Sequence, residues 1–387
     1  MQKRIVFLPY GHQWIDEEDI KEVTEVLKSE WMTQGPKVKE FERKLANYCG
    51  ANYAVVFSSG TAALHGAYFA GGIKEGCEII TSPITFLSTT NAALFLYAHP
   101  VFVDVEKDTG NINPGLIEKK VTEKTKVIAP VHYGGHPADL EKISKVAKKY
   151  NLLVIEDACH ALGAEYKGEK IGSCKYSDMT VFSFHPVKSI TTGEGGAVLT
   201  NNKEYYKKLI MFREHGVTKD QVEFKKLPPG DWYYEMHLLG YNYRLTDIQC
   251  ALGASQLKKL NKFIQRRREI AKIYGDAFRD NDFFELPEEK SYAKSSWHLY
   301  PVKLKDMYKD KKREIFAKLR EEGLGVQVHY IPVYLQPYYQ RLGYRKGICP
   351  NAEDFYQREI SIPLYQSMSG EDIEYVVNTI FKVFKEV

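Results

Sequence analysis

The chain has 387 residues, 44% hydrophobic and 27% charged, with 54 Lys and Arg against 50 Asp and Glu, a formal net charge of +4. That length allows two domains of about 150 residues or more, each able to bury a core without disulfides or metals. It excludes a disordered chain, a mini-protein and a fibrous repeat, and so weak a charge leaves no field to attract nucleic acid or an anionic membrane.

Met1–Tyr10 is too short for a signal peptide and has no cleavage pattern. Asp16–Lys28 reads as an amphipathic helix that turns Ile20, Val23, Val26 and Leu27 inward. Ala54–Phe57, Glu78–Thr81, Val101–Val105, Val127–Val131, Leu152–Glu156, Thr180–Phe184 and Ala197–Thr200 are brief apolar runs, several rich in Val and Ile, with helical patterns between them. In one such pattern, Asp139–Tyr150, Asp139 can cap while Ile143, Val146, Ala147 and Tyr150 recur at helical spacing. This alternation predicts an α/β fold with a mostly parallel sheet sandwiched by helices.

From Thr246 to about Asp280 a long helical pattern holds no strand candidate, and its basic run Arg266–Arg268 reads as a solvated face. Beyond it, candidate strands near Leu299–Leu304 and Gly325–His329 suggest a smaller α+β unit. We therefore expect a large domain with an N-terminal arm over residues 1–250, and a linker helix with a small C-terminal domain over 251–387. No apolar run approaches the ~18 residues of a membrane span; the longest of note is Asn91–Ala98. Six cysteines (Cys49, Cys77, Cys159, Cys174, Cys250, Cys349) are scattered with no C-x-x-C pair, which suits free thiols in a reducing compartment and predicts a cytoplasmic protein.

Open α/β sheets bind ligands beyond the carboxyl ends of their strands, so the polar residues just after the apolar runs are the candidates for chemistry. Ser58-Ser59-Gly60-Thr61 follows one run and opens the helical stretch Ala62–Ala70, where free N–H groups and a close-approaching glycine suit a phosphate. Any helix cap looks much the same. Asp157 ends a very apolar run, and a carboxylate emerging from a buried strand needs a cation or strong donors; capping of a following helix is the alternative. Lys188 follows Ser183-Phe184-His185-Pro186-Val187 and precedes Gly193-Glu194-Gly195-Gly196, a loop that can hold a lysine with a lowered pKa as a Schiff-base nucleophile. His132 and His136 have a spacing that could bind metal only on a helix, and Gly134, Gly135 and Pro137 argue for a loop, so no metal is expected. The sequence lacks H-E-x-x-H, G-x-S-x-G, a P-loop and a G-x-G-x-x-G after a strand, which leaves hydrolase, NTPase and dehydrogenase readings without their minimal parts.

A phosphate cradle, a carboxylate and a lysine are together the three handles of pyridoxal 5'-phosphate. Ser59-Gly60-Thr61-Ala62-Ala63-Leu64, Thr85-Phe86, Glu156-Asp157-Ala158-Cys159-His160, Ser183 to Lys188, Gly193 to Gly196 and Gly240-Tyr241-Asn242-Tyr243-Arg244 resemble, in order, the motifs of the DegT/DnrJ/EryC1/StrS sugar-nucleotide aminotransferases. The resemblance implies a fold-type I enzyme in which Lys188 carries the Schiff base and Asp157 pairs with the pyridine nitrogen. Phe86 would stack on the ring, and Gly60, Thr61 and Ser183 would hold the phosphate. His160 stands where Gln is often found near the ring hydroxyl, and Asn242 would reach the phosphate of a second subunit, implying a homodimer with shared sites. Thr33, Arg244, His329 and Tyr330 fall in segments that resemble those near the sugar nucleotide. Across its length, including Pro9–Ile15, the chain looks most like the members that aminate C4 of a UDP-linked 4-keto-6-deoxy-N-acetylhexosamine in pseudaminic acid biosynthesis, with glutamate as the usual donor. Amination of a dTDP- or GDP-linked keto sugar is an alternative. A sugar dehydratase on this scaffold would have another residue in place of Lys188, and a non-enzymatic regulator would not need the three handles.

Overall fold

The structure, a computed structural model, describes residues 7–387; residues 1–6, the start of the segment weighed above as a signal peptide, lie outside the described residues. Helix α1 (Glu17–Leu27) starts at a capping box, the Asp16 carboxylate accepting from the N–H groups of Glu18 and Asp19 while the Asp19 side chain accepts from that of Asp16. Helix α2 (Pro36–Cys49) opens on proline and stops at Gly50, whose φ of 79° a side chain would resist. Then follow β1 (Tyr53–Phe57), α3 (Gly60–Ala70), β2 (Glu78–Thr81), α4 (Ser88–Leu94), β3 (His99–Phe102), β4 (Thr125–Ala129), α5 (Leu140–Tyr150), β5 (Leu153–Asp157), β6 (Met179–Ser183), β7 (Gly196–Thr200) and α6 (Lys203–Arg213).

These strands form one sheet in the order β1-β7-β6-β5-β4-β2-β3, parallel except for β7, which runs against both its neighbours. Alternate side chains feed opposite cores. Val56 and Phe182 join Phe41, Leu45 and Leu260 on one face, while Val55, Phe57 and Val181 join Ala63, Tyr68 and Phe212 on the other. Burial on both faces explains why the strands appear in sequence as continuous apolar runs. The run expected at Val101–Val105 is displaced to His99–Phe102, since β3 is an edge strand and tolerates Pro100.

Helix α7 (Asp247–Ala277) is capped by Thr246 and Gln249 and leads into β8 (Phe284–Glu285), β9 (Tyr300–Leu304), α8 (Lys312–Glu321), β10 (Glu359–Ile362) and α9 (Gly370–Glu386). Strands β8, β9 and β10 make an antiparallel sheet over a core that includes Ile270, Tyr274, Val302, Ile315, Ile360 and Val376. The expected strand Gly325–His329 shrinks to Leu324–Gly325, paired with Leu8–Pro9, and a single bridge between Gln327 and Ser361.

Two sequence expectations are overturned by buried charge. On α1, Ile20 and Leu27 are 51% and 55% exposed, whereas Asp19 is fully buried, held by Lys259 at 2.7 Å and Gln256 at 2.6 Å on α7. The inner face is therefore built around an acid where the pattern suggested a hydrophobe. Within Arg266–Arg268, Arg267 is fully buried and its Nη1 donates to the carbonyls of Trp297, His298 and Leu364. Burial pulls this guanidinium down to about 10; the carbonyls accept its protons where a solvated face was expected. Among the described residues no helix is long and apolar enough to cross a membrane, and all six cysteines are free.

Candidate active site

The carboxyl ends of β1, β5 and β6 open onto a cavity of about 840 Å³. At its floor, α3 begins with Ser59 as N-cap, the Ser59 Oγ accepting the Ala62 N–H at 3.1 Å. Helix geometry leaves the N–H groups of Gly60 and Thr61 without carbonyl partners inside the helix. A side chain at Gly60 would press to 2.9 Å from Ser183 Cβ, and one at Gly196 to 2.5 Å from the Ser59 carbonyl, so glycine at both positions lets β6, β7 and α3 close into a cradle. The Thr61 hydroxyl lies 2.7 Å from that of Ser88.

Asp157 reaches the cavity from the end of β5 and is 6% exposed. Its Oδ2 accepts from Thr89 at 2.5 Å, with Thr85 2.7 Å behind, and its Oδ1 accepts the Cys159 N–H at 3.2 Å. Both partners are neutral donors. Lys188 lies on the connection from β6 to β7, its backbone N–H donating to the His185 carbonyl. Burial pulls its amine below the ordinary lysine range, with Cys159 and Asp157 opposing.

The opposite wall comes from imidazoles and the C-terminal part of the chain. His160 Nε2 lies 3.0 Å from the Tyr330 hydroxyl, and its ring centroid is 4.3 Å from that of His298. The Nδ1 atoms of both rings are buried without a protein partner among the described residues. Burial holds both well below the ordinary histidine pKa, with Lys188 adding to the effect in each case. Phe86 is 59% exposed, its ring 6.2 Å from that of Tyr330. A buried acid without a salt-bridge partner within 4.0 Å among the described residues, an amine kept less basic, an orphaned imidazole nitrogen and a glycine-formed anion cradle fit the pyridine nitrogen, carbonyl, ring hydroxyl and phosphate of pyridoxal phosphate.

Of the residues expected from sequence, Gly60, Thr61, Phe86, Asp157, His160, Ser183, Lys188, His329 and Tyr330 line this one cavity. Thr33 and Asn242 are exposed elsewhere, and Arg244 lines a separate cavity of about 930 Å³ beside Trp232 and Tyr233. Tyr10, Ser88, Glu194, His298 and Gln327 also line the main cavity and were missed. The one local signal for Ser88 and Thr89 was the hydroxyl-rich stretch after β2. His132 and His136 have other partners: His132 joins Glu156 at 2.7 Å and accepts the Ala138 N–H, and His136 accepts the Lys290 N–H.

Known proteins agree with this geometry. Residues 13–381 match the model of the DegT/DnrJ/EryC1/StrS aminotransferase family. The chain is 44% identical over 383 residues to the UDP-4-amino-4,6-dideoxy-N-acetyl-beta-L-altrosamine transaminase of Campylobacter jejuni, with 98% of each chain covered. It superposes on Helicobacter pylori PseC, an aminotransferase involved in the biosynthesis of pseudoaminic acid, with a TM-score of 0.92 at 37% identity, covering 98% of this chain and 100% of that one. The PLP-form of Spr1654 from Streptococcus pneumoniae gives a TM-score of 0.91 at 31% identity, covering 98% and 99%. Since the match runs through every element that holds the cavity, the chain belongs to the DegT/DnrJ/EryC1/StrS aminotransferase family of pyridoxal phosphate-dependent enzymes.

Proposed function

We propose that the enzyme moves an amino group from an amino acid, with L-glutamate as donor, to C4 of a UDP-linked 4-keto-6-deoxy-N-acetylhexosamine, in pseudaminic acid biosynthesis. The reading is carried by the convergence of Lys188, Asp157 and the start of α3 on one cavity large enough for cofactor and substrate together. Support for the substrate comes from the likeness to the Campylobacter transaminase and to Helicobacter PseC.

When bound, pyridoxal phosphate supplies an electron sink for the charge left as a proton leaves carbon. Gly60, Thr61 and Ser183 would hold its phosphate, Asp157 its ring nitrogen, His160 its ring hydroxyl and Phe86 one ring face. Lys188 would tether it, and its Nζ would take the proton from the donor's α-carbon. An amine lowered by burial is the better base for that task. The Asp157 carboxyl would favour a positive charge on the ring nitrogen, and its two neutral donors hold it in place.

The same proposal places the chain in a cytoplasmic homodimer, divided near residue 250 into a large cofactor-binding domain and a small one. Asn242 is exposed and away from its own chain's cavity, as a residue lent to a partner's phosphate site must be. Mixing Asn242→Ala and Lys188→Ala chains should restore up to about half the wild-type activity per mixed dimer, because one site then holds both intact residues. Confirmed subunit exchange with no return of activity would defeat the shared site. For the reaction, the enzyme with cofactor and glutamate should aminate the UDP-linked keto sugar with ping-pong kinetics; transfer only to dTDP- or GDP-linked keto sugars would defeat the substrate assignment.

A further inference from the structure

Strand β10 carries two buried polar residues, Glu359 and Ser361, both fully buried and, two positions apart, on one face of the strand. Both point at His329, which lines the active-site cavity. The His329 N–H donates to Glu359 Oε2 at 2.7 Å, the Ser361 Oγ bonds Glu359 Oε1, and His329 Nδ1 lies 2.8 Å from the Ser361 Oγ. From the other side, the Tyr133 hydroxyl donates to the His329 carbonyl at 2.6 Å. The His329 backbone is thus held from two sides, and its ring by Ser361.

Proton accounting decides its tautomer. Once Glu359 is ionised, above about pH 7, its carboxylate only accepts, so the single hydroxyl proton of Ser361 goes to Glu359. The Ser361 oxygen can then only accept from His329, which puts the ring proton on Nδ1. Burial, with Lys188 adding to it, holds the His329 pKa down to about 3, so the ring is neutral and carries no second N–H. Its Nε2 has no hydrogen-bond partner among the described residues. Glu359 feels Lys312 of α8, whose Nζ bonds the Tyr356 carbonyl; burial raises the carboxyl to about 7 and lowers the amine to about 8, and each charge opposes the other's shift. Tyr133, Tyr330 and His329 are the other titratable groups facing that carboxylate.

We propose that Glu359 and Ser361 are positioning residues that lock His329 as the Nδ1–H tautomer, so that its Nε2 meets the cavity as a hydrogen-bond acceptor for a hydroxyl or N–H group of the sugar substrate. The lock stands on the hydrogen-bond geometry with Glu359 ionised and His329 neutral, while the identity of the donor group rests on the function proposed above. A serine two residues along a strand from its carboxylate thereby sets which face of the substrate the site can recognise: one that brings a proton to His329.

The test uses the holoenzyme with ring-nitrogen-labelled histidine, the His329 signals being identified by their loss in His329→Gln. Proton-coupled nitrogen spectra should show Nδ1 protonated and Nε2 bare. Ser361→Ala, which leaves Glu359 and Lys312 in place, should bring His329 into exchange between tautomers, and Ser361→Thr should restore the single form. In the overall reaction Ser361→Ala should raise the KM for the keto sugar nucleotide about tenfold, the value of one hydrogen bond, while changing kcat less. A wild-type ring protonated at Nε2, or nitrogen signals unmoved in Ser361→Ala, would overturn the lock. A sugar KM unchanged in His329→Phe, whose ring has no acceptor, would overturn the acceptor role. If the tautomer is as stated and no keto sugar nucleotide is aminated, the functional reading fails and the lock stands.

Discussion

Glu156 and Asp157 are neighbours on β5, yet they meet opposite environments because alternate residues of a strand face opposite sides of the sheet. Glu156 has both oxygens committed, Oε2 to His132 at 2.7 Å and Oε1 to Ser177 and Thr180. The Ala138 N–H occupies His132 Nδ1, so it is a protonated Nε2 that faces the acid. Asp157 instead receives one hydroxyl and one backbone N–H, and the cavity takes up the rest of its surroundings. A buried acid whose partners are complete is architecture; one whose hydrogen bonds come only from neutral donors is prepared for a positive charge that a ligand brings.

Lys188→Ala, on the Asp157 side, should have the largest effect, a loss of turnover of at least about three orders of magnitude with the loss of the loaded enzyme's cofactor absorbance. A variant turning over at the wild-type rate would remove the lysine from the chemistry. Asp157→Asn keeps the shape without the charge and should lower turnover about a hundredfold or more, roughly 3 kcal/mol, with little change in melting temperature. Glu156→Gln should behave in reverse, lowering stability by about 1–3 kcal/mol in urea titrations while kcat/KM stays within about threefold. Equal losses of turnover in the two variants would erase the distinction between the neighbours.

Acid should sharpen the contrast. His160, His298 and His329 on the Asp157 side are held neutral by burial, so below about pH 6.5 the unfolded chain binds protons that the folded one refuses. Stability should therefore fall as the pH drops below that value, each imidazole contributing up to about 1.4 kcal/mol per pH unit, and His329→Gln should flatten the slope by one such share. A slope between pH 7 and 5 that His329→Gln leaves unchanged would mean that this ring is not held neutral. Ser59→Ala should have the smallest effect, about 1 kcal/mol of stability from the lost cap, with weaker cofactor binding measured by titration.

The large sheet was legible because its strands are buried on both faces and so appear as apolar runs, each found within a few residues of its place. Lys188, Asp157 and Gly60 were legible because they sit where such strands end. The inner face of α1 was not, since Asp19 is satisfied by residues more than two hundred positions away. Strand β10 escaped notice because Glu359 and Ser361 look like exposed positions until Lys312 and His329 are brought to them by the fold. His298 has no local pattern at all; only the cavity collects it.

The reversal of β7 has a consequence for the reactive lysine. In a sheet that kept to one direction, the chain leaving β6 would have to travel back to the opposite edge before the next strand could start, which takes a long crossover. Because β7 runs the other way, the chain leaves Ser183 and re-enters at Gly196 on the same rim, and both ends of the connection carrying Lys188 are clamped in adjacent strands. A short segment pinned at both ends has little conformational entropy to lose when its side chain is captured. The lysine is thus held ready by the topology itself, and an insertion between His185 and Gly195 should be tolerated far less well than its place in a loop would suggest.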